Sequence, residues 1–312
     1  MPELLSNYTL NADDRLVGAL VSGECTIGGL LICLIILGCF KIPSMRTPFG
    51  NLTMNQCTGQ LIACLSNGIF FFLAFVVDVR TVISYSFITG DISLCLLGII
   101  IVSYFFMSLN RLTAITLPFQ YRWLFGKRAI RLMVLLNWMV PLLITAYLMI
   151  FKNCAFEFYH HGWTFSTSPN RELCGPSLRV YLTLSQMPVT ILTVLCDFIT
   201  FCFLVIGRKR IFQSKSAEMK RREMNFARQV LAQGVVSMAH SFWYNRGRDL
   251  IPGFSEEWRI FLTSTFSSNM LHVFDATVVF TCNFEFKNWL FKKKKATTIL
   301  TLVSTIPGHS HS

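Results

Sequence analysis

Seven stretches rich in apolar residues follow one another along the chain, each long enough to cross the hydrocarbon core of a bilayer. They cover residues 16–40, 49–77, 87–117, 129–151, 177–206, 225–244 and 258–283. Only 14% of the residues are charged, against about 25% in soluble domains. The deficit sits in these runs, so most of the chain belongs in lipid rather than around one soluble core. The second, third and sixth runs also carry Asn, Gln, Ser or Thr, which in a bundle face other helices instead of lipid. The chain therefore reads as an all-α membrane protein, a seven-transmembrane helix bundle.

Orientation follows from the connecting segments. Eighteen Lys and Arg lie after the first, third, fifth and seventh runs, and eight lie on the opposite side. Cytoplasmic loops carry the excess of Lys and Arg, so the N-terminus is expected outside and the C-terminus inside. The sequon Asn7-Tyr8-Thr9 falls on that outer side, making Asn7 a candidate glycosylation site. The expected organisation is an extracellular N-terminus over 1–15, the bundle over 16–283, and a cytoplasmic interfacial helix with a tail over 284–312. In that last segment Phe286, Trp289 and Leu290 form an apolar stripe, and Lys292, Lys293, Lys294 and Lys295 can meet anionic lipids. No short apolar core with a basic flank precedes the first run, so that run is expected to act as the insertion signal. The net charge of +12 lies between apolar runs, not on a soluble basic face, and argues against a nucleic-acid partner. Nine of the 11 Cys lie in or beside apolar runs, and no Cys or His cluster has metal-ligand spacing. Neither a metal nor a cofactor is expected.

The most informative stretch is Ser108-Leu109-Asn110-Arg111, followed by Pro118-Phe119-Gln120-Tyr121 at the inner end of the third run. An Arg at that depth is costly in lipid and marks a functional interior position. The spacing of Arg, Pro, a bulky apolar residue and Tyr resembles the end of the third helix and the second inner loop of rhodopsin-like receptors. The resemblance implies that Arg111 pairs inside the resting bundle and turns to a heterotrimeric G protein when the sixth helix swings out. Pro118 then ends or bends the helix, and Phe119 projects as an apolar knob. The chain departs from the mainstream pattern. Asn110 stands where an acid is usual, the second run has no mid-span Asp for a sodium site, and no Asn-Pro-x-x-Tyr closes the seventh. These departures, with Arg221-Arg222-Glu223 opening the sixth run, His272 and Asp275, and Asn283-x-Glu285, resemble the nematode serpentine chemoreceptors of the srx class. That implies a G-protein-coupled chemosensory receptor in the plasma membrane, typically of the sensory cilium, binding a small external molecule in the outer half of the bundle.

Further residues take roles within that resemblance. The Cys that usually pairs with the long outer loop is replaced by Ser86, and Cys95 lies too deep to reach. A bond between Cys154 and Cys174 inside the loop is expected, the alternative being two free thiols. Glu223 is a candidate counter-charge for Arg111, or else an ordinary acid among arginines. His272 and Asp275 share a helix face and, with Asn283, are placed in an intramembrane polar network; Asp197 and His240 read as polar core residues. The position that carries an Asp in amine receptors is Ser93, which disfavours a biogenic amine. Ser93, Leu94, Leu97 and Trp243 are the candidate pocket residues, a lining suited to small volatile or lipid-like molecules.

The alternative is a small-molecule transporter or ligand-gated channel, which would show internal repeats, paired helix breaks or a pore ring; none is apparent in the sequence. An enzyme would need convergent nucleophile, base or metal ligands, and only His272 with Asp275 comes near, so no catalytic residue is assigned. Whether the chain forms a homo- or hetero-oligomer is left open.

Overall fold

The computed structural model describes residues 10–167, 174–181, 187–206 and 217–291. Among them α1 spans Ala12–Lys41, α2 Pro48–Phe71, α3 Ser86–Thr116, α4 Lys127–Phe151, α5 Met187–Ile206, α6 Ala217–Leu250, α7 Thr265–Cys282 and α8 Phe284–Phe291. Four of these (α1, α2 with its continuation to Val76, α3 and α4) are long and apolar enough by themselves to cross a membrane. The described part of α5 is shorter, and α6 and α7 hold more polar side chains. α3 sits in the middle, touching α2, α4, α5 and α6. α1 packs on α2 and α7, and α6 packs on α5 and α7. Large apolar side chains such as Leu30 (63% exposed), Leu143 and Phe198 point away from the bundle, the belt expected of a lipid-facing surface.

Local sequence fixes the helix ends. Asn11 and Asp14 form a reciprocal capping box, with the Asp14 amide donating to Asn11 Oδ1 at 2.8 Å and the Asn11 amide to Asp14 Oδ2 at 2.9 Å. Such a box satisfies two otherwise orphaned amides, and it starts α1 four residues before the apolar run does. Thr47 caps α2 by accepting from the Gly50 amide, and Pro48 takes the first helical position, where its missing N–H costs nothing. α3 stops at Thr116, and Pro118 opens a separate short helix, Pro118–Leu124.

The seventh run was expected to be one helix over 258–283. The structure breaks it at Ser264 (φ −108°, ψ −88°) into Glu256–Thr263 and α7. The cause is a cluster of hydroxyls. Ser264 donates to the Ile260 carbonyl at 2.6 Å, and Thr263 and Ser267 donate to the carbonyls of Arg259 and Thr263 at 2.7 Å. Such back-bonding competes with the helical ladder and bends it.

The outer loop, polar and without a clear strand pattern in the sequence, contains an antiparallel hairpin, β1 Phe156–Tyr159 and β2 Thr164–Thr167. Its turn uses Gly162 at φ +96°, a conformation open to Gly, and a Cβ there would also collide with Ile260. Asp91 and Ser86 of α3 hold β1 by accepting from the Phe156 and Phe158 amides at 3.0 and 3.2 Å. Ser86, at the position of the missing Cys, thus anchors the loop by a hydrogen bond. Phe158 and Phe165 descend onto Phe70, Phe71 and Phe75 at centroid distances of 5.3–6.4 Å. The fully buried Trp163 packs on Trp258 and Phe261 and donates its indole N–H to Asp14 Oδ1 at 2.8 Å. His160 Nε2 lies 3.1 Å from the same oxygen. The hairpin is thus a lid fastened to α1, α3 and α7.

Replacing Trp163 by Phe keeps an aromatic ring but removes a donor from the buried Asp14 carboxylate. Thermal unfolding of the detergent-solubilised chain should show a loss of about 1–3 kcal/mol. Trp163→Ala should cost about 3–5 kcal/mol.

Candidate functional site

Inside the bundle, polar residues are sorted into layers. In the outer half, Ser93 of α3 donates to Asn67 Oδ1 at 3.0 Å, and Asn67 donates to Asn269 Oδ1 of α7 at 3.0 Å. The Cys25 thiol of α1 donates to the same Asn269 oxygen at 3.6 Å. A second group binds α2, α3 and α4: Asn55 and Asn137 both donate to Ser103 Oγ, at 3.1 and 2.9 Å, and the Trp138 indole donates to Asn55 Oδ1 at 2.7 Å.

The deepest knot is Asp275 of α7, almost fully buried. Gln56 and Gln60, one turn apart on α2, each donate to its Oδ2 at 2.6 Å, and Gln233 of α6 donates to Oδ1 at 2.8 Å. Tyr104 of α3 comes up beside the carboxylate. One side chain thereby joins α2, α6 and α7 with charge-assisted bonds where no water competes for them. His272 is buried on the same helix with Nδ1 lacking a hydrogen-bond partner among the described residues. Asn283, placed with these two by the sequence reading, lies about 12 Å further along the chain. It accepts from the Glu285 amide at 3.0 Å and donates to Met45 Sδ at 3.7 Å, so it caps α8 and stands apart from the Asp275 knot. From sequence Gln60 stands only as a mid-run amide of the second run. With Gln56 it makes an i, i+4 pair of amides within an apolar run, and Gln233 carries no such signal.

At the inner end of α3, Arg111 is buried, and its guanidinium carbon lies 3.5 Å from the Phe49 ring centroid, a cation–π contact. Asn110 donates to the Tyr121 hydroxyl at 3.2 Å, and Tyr121 stacks on the buried Phe125 at 5.4 Å. These contacts hold the short helix Pro118–Leu124 against α3 and turn its other face outward. Phe119 is 97% exposed and Trp123, one turn on, is 81% exposed. Trp123 was not anticipated, though its i+4 spacing from Phe119 is visible in the sequence. Glu223 lies on α6, but its side chain falls outside the described residues, as do Asn7 and Lys292–Lys295.

The four pocket candidates do not converge. Ser93 faces the Asn67–Asn269 pair, Leu97 is 43% exposed on the outside of the bundle, and Trp243 donates to the Leu262 carbonyl at 3.0 Å. Leu94 alone lines an outer space, about 230 Å³ between atoms and partly open to the surface, under the lid beside Asp91, Leu148 and Cys154. The structure joins Cys154 to Cys174, their Cα atoms 5.0 Å apart. Among the described residues no cluster of His, Cys, Asp or Glu could hold a metal. Phe286 of α8 is fully buried and packs against Gly38 of α1, Trp289 packs partly on the same cluster, and Leu290 is exposed.

This bundle has the architecture of rhodopsin. The crystal structure of squid rhodopsin superposes with a TM-score of 0.70 over 90% of this chain and 85% of that one, at 14% identity. The fold is therefore that of a seven-transmembrane helix bundle. At the level of sequence, the family model for the serpentine type 7TM GPCR chemoreceptor Srx matches residues 25–283. Serpentine receptor class X-43 of Caenorhabditis elegans is 39% identical over 301 residues, 95% of this chain and 94% of that protein. The chain belongs to the Srx family of G-protein-coupled chemoreceptors.

Asp275→Asn replaces one accepting oxygen by an amide donor that faces the donors of the glutamines. A loss of about 1–3 kcal/mol in stability is expected, read as a lower melting temperature, with Gln233→Leu producing a smaller loss.

Proposed function

We propose that this receptor binds a small external molecule in the outer half of the bundle, beneath the β1–β2 lid, and activates a heterotrimeric G protein through the inner ends of α3, α5 and α6. The observation that carries the reading is the pair Phe119 and Trp123, two large apolar side chains held out on the inner face by the Asn110–Tyr121 bond. Exposed apolar anchors of this kind serve as contacts for a protein partner. Arg111, on the preceding helix, is sheathed by Phe49 and becomes available to the partner when α6 moves. Glu223, on the opening turns of α6, is the proposed acid that restrains it at rest. Leu94 and the lid strands border the proposed ligand space, whose small size and mostly apolar walls suit a small volatile molecule. Asn7 on the outer side is the proposed glycosylation site, and the plasma membrane of a sensory cilium is the proposed location.

The test is a heterologous signalling assay against a panel of small volatile and secreted metabolites. Arg111→Ala and Phe119→Ala should each lower the maximal response by ten-fold or more, on the order of 1.4 kcal/mol or above, at unchanged surface expression. Glu223→Gln should raise ligand-free signalling. Responses untouched by both Arg111→Ala and Phe119→Ala would overturn the coupling surface. A ligand-gated current without any G protein would favour the channel reading.

A further inference from the structure

A separate cleft opens between α3, α5 and α6, deeper than the proposed ligand space under the lid and sharing only α3 with it. Its lining includes Tyr104, Ser108, Thr193, Asp197, Gln233 and Ser237. Ser108 stands one turn before Arg111, so the cleft lies in the inner half of the bundle. It spans about 370 Å³ between atoms, part of it open to the surface. It has room for only about two water molecules. Asp197 Oδ1 is buried with no hydrogen-bond partner among the described residues, although Ser108 sits beside the carboxyl. Asp197 Oδ2 comes so near α6 that a Cβ on Gly234 would stand 2.9 Å from it. No basic side chain lines the cleft among the described residues.

We propose that this cleft binds a compact monovalent cation, with the Asp197 carboxylate as counter-charge and the hydroxyls of Ser108, Thr193 and Ser237 as further oxygen donors. Oxygen donors without His or Cys suit a hard cation and not a transition metal. The space excludes a drug-sized ligand and accepts either a metal ion such as sodium or the head of a primary ammonium. A carboxylate with no counter-charge among the described residues is expensive at this depth in an apolar medium, and a cation of either kind removes that cost. The bound ion would tie α5 to α3 and α6. Gln233 lines the cleft and also donates to Asp275, so occupancy reaches the central knot through one side chain.

The experiment is thermal unfolding of the purified full chain, followed by tryptophan fluorescence, in sodium, methylammonium or choline chloride at equal ionic strength. Choline is too large for the cleft and serves as the reference. Sodium should raise the melting temperature by about 2–4 °C over choline, and the rise should vanish in Asp197→Asn. An equal rise with methylammonium would identify the site as one for an ammonium head. If Asp197→Asn does not fold, Gly234→Ala serves in its place, because its methyl group displaces the carboxylate and should abolish the same rise. Equal melting temperatures in all three salts, or a sodium effect that survives in the variant, would overturn the proposal.

Discussion

The carboxylate of Asp275 accepting three amide donors is the interaction on which the interior of this protein turns. In a soluble protein an Asp could find water. Within a bilayer it must be satisfied by other helices or remain a heavy cost. Gln56 and Gln60 from one side and Gln233 from the other meet that demand, and in doing so they fix the rotation of α2, α6 and α7 about their axes. Apolar contacts alone would not, since lipid tails are as apolar as Leu and offer little preference between orientations.

Two further constraints act at the faces of the bundle. Outside, the lid is held to α1 through Asp14 and to α3 through Ser86 and Asp91, so the hairpin is part of the packed structure rather than a loose connection. Inside, the acid usual beside Arg111 is replaced by Asn110, whose amide bonds Tyr121. A neutral side chain cannot restrain an arginine by charge, but here it fixes the helix that displays Phe119 and Trp123. This chain thus keeps the rhodopsin architecture with a neutral amide beside Arg111.

The bundle was legible in the sequence because lipid demands long apolar runs, and loop charge gives their direction. Asp275 was legible for the same reason, as an acid in an otherwise apolar run. Its partners were not, because Gln56 and Gln60 on α2 and Gln233 on α6 lie far from Asp275 along the chain and only helix packing brings them to it. The same gap explains the pocket residues: Leu94 and Leu97 are equally apolar, and helix rotation alone decides that one is buried and the other faces outward. The hairpin left a faint trace in Phe156-Glu157-Phe158-Tyr159 and in Gly162, too short to distinguish from an irregular loop. The break at Ser264 was missed because hydroxyls in an apolar run read as helix–helix contacts as readily as helix benders.

The lid, the Asp275 knot and the proposed coupling face require that the two ends of the bundle lie on opposite sides of a membrane. Epitope tags at the two ends, probed by antibody in intact and in permeabilised cells, test this most directly. The account predicts an N-terminal tag labelled in intact cells and a C-terminal tag labelled only after permeabilisation. Both tags on one side would contradict it.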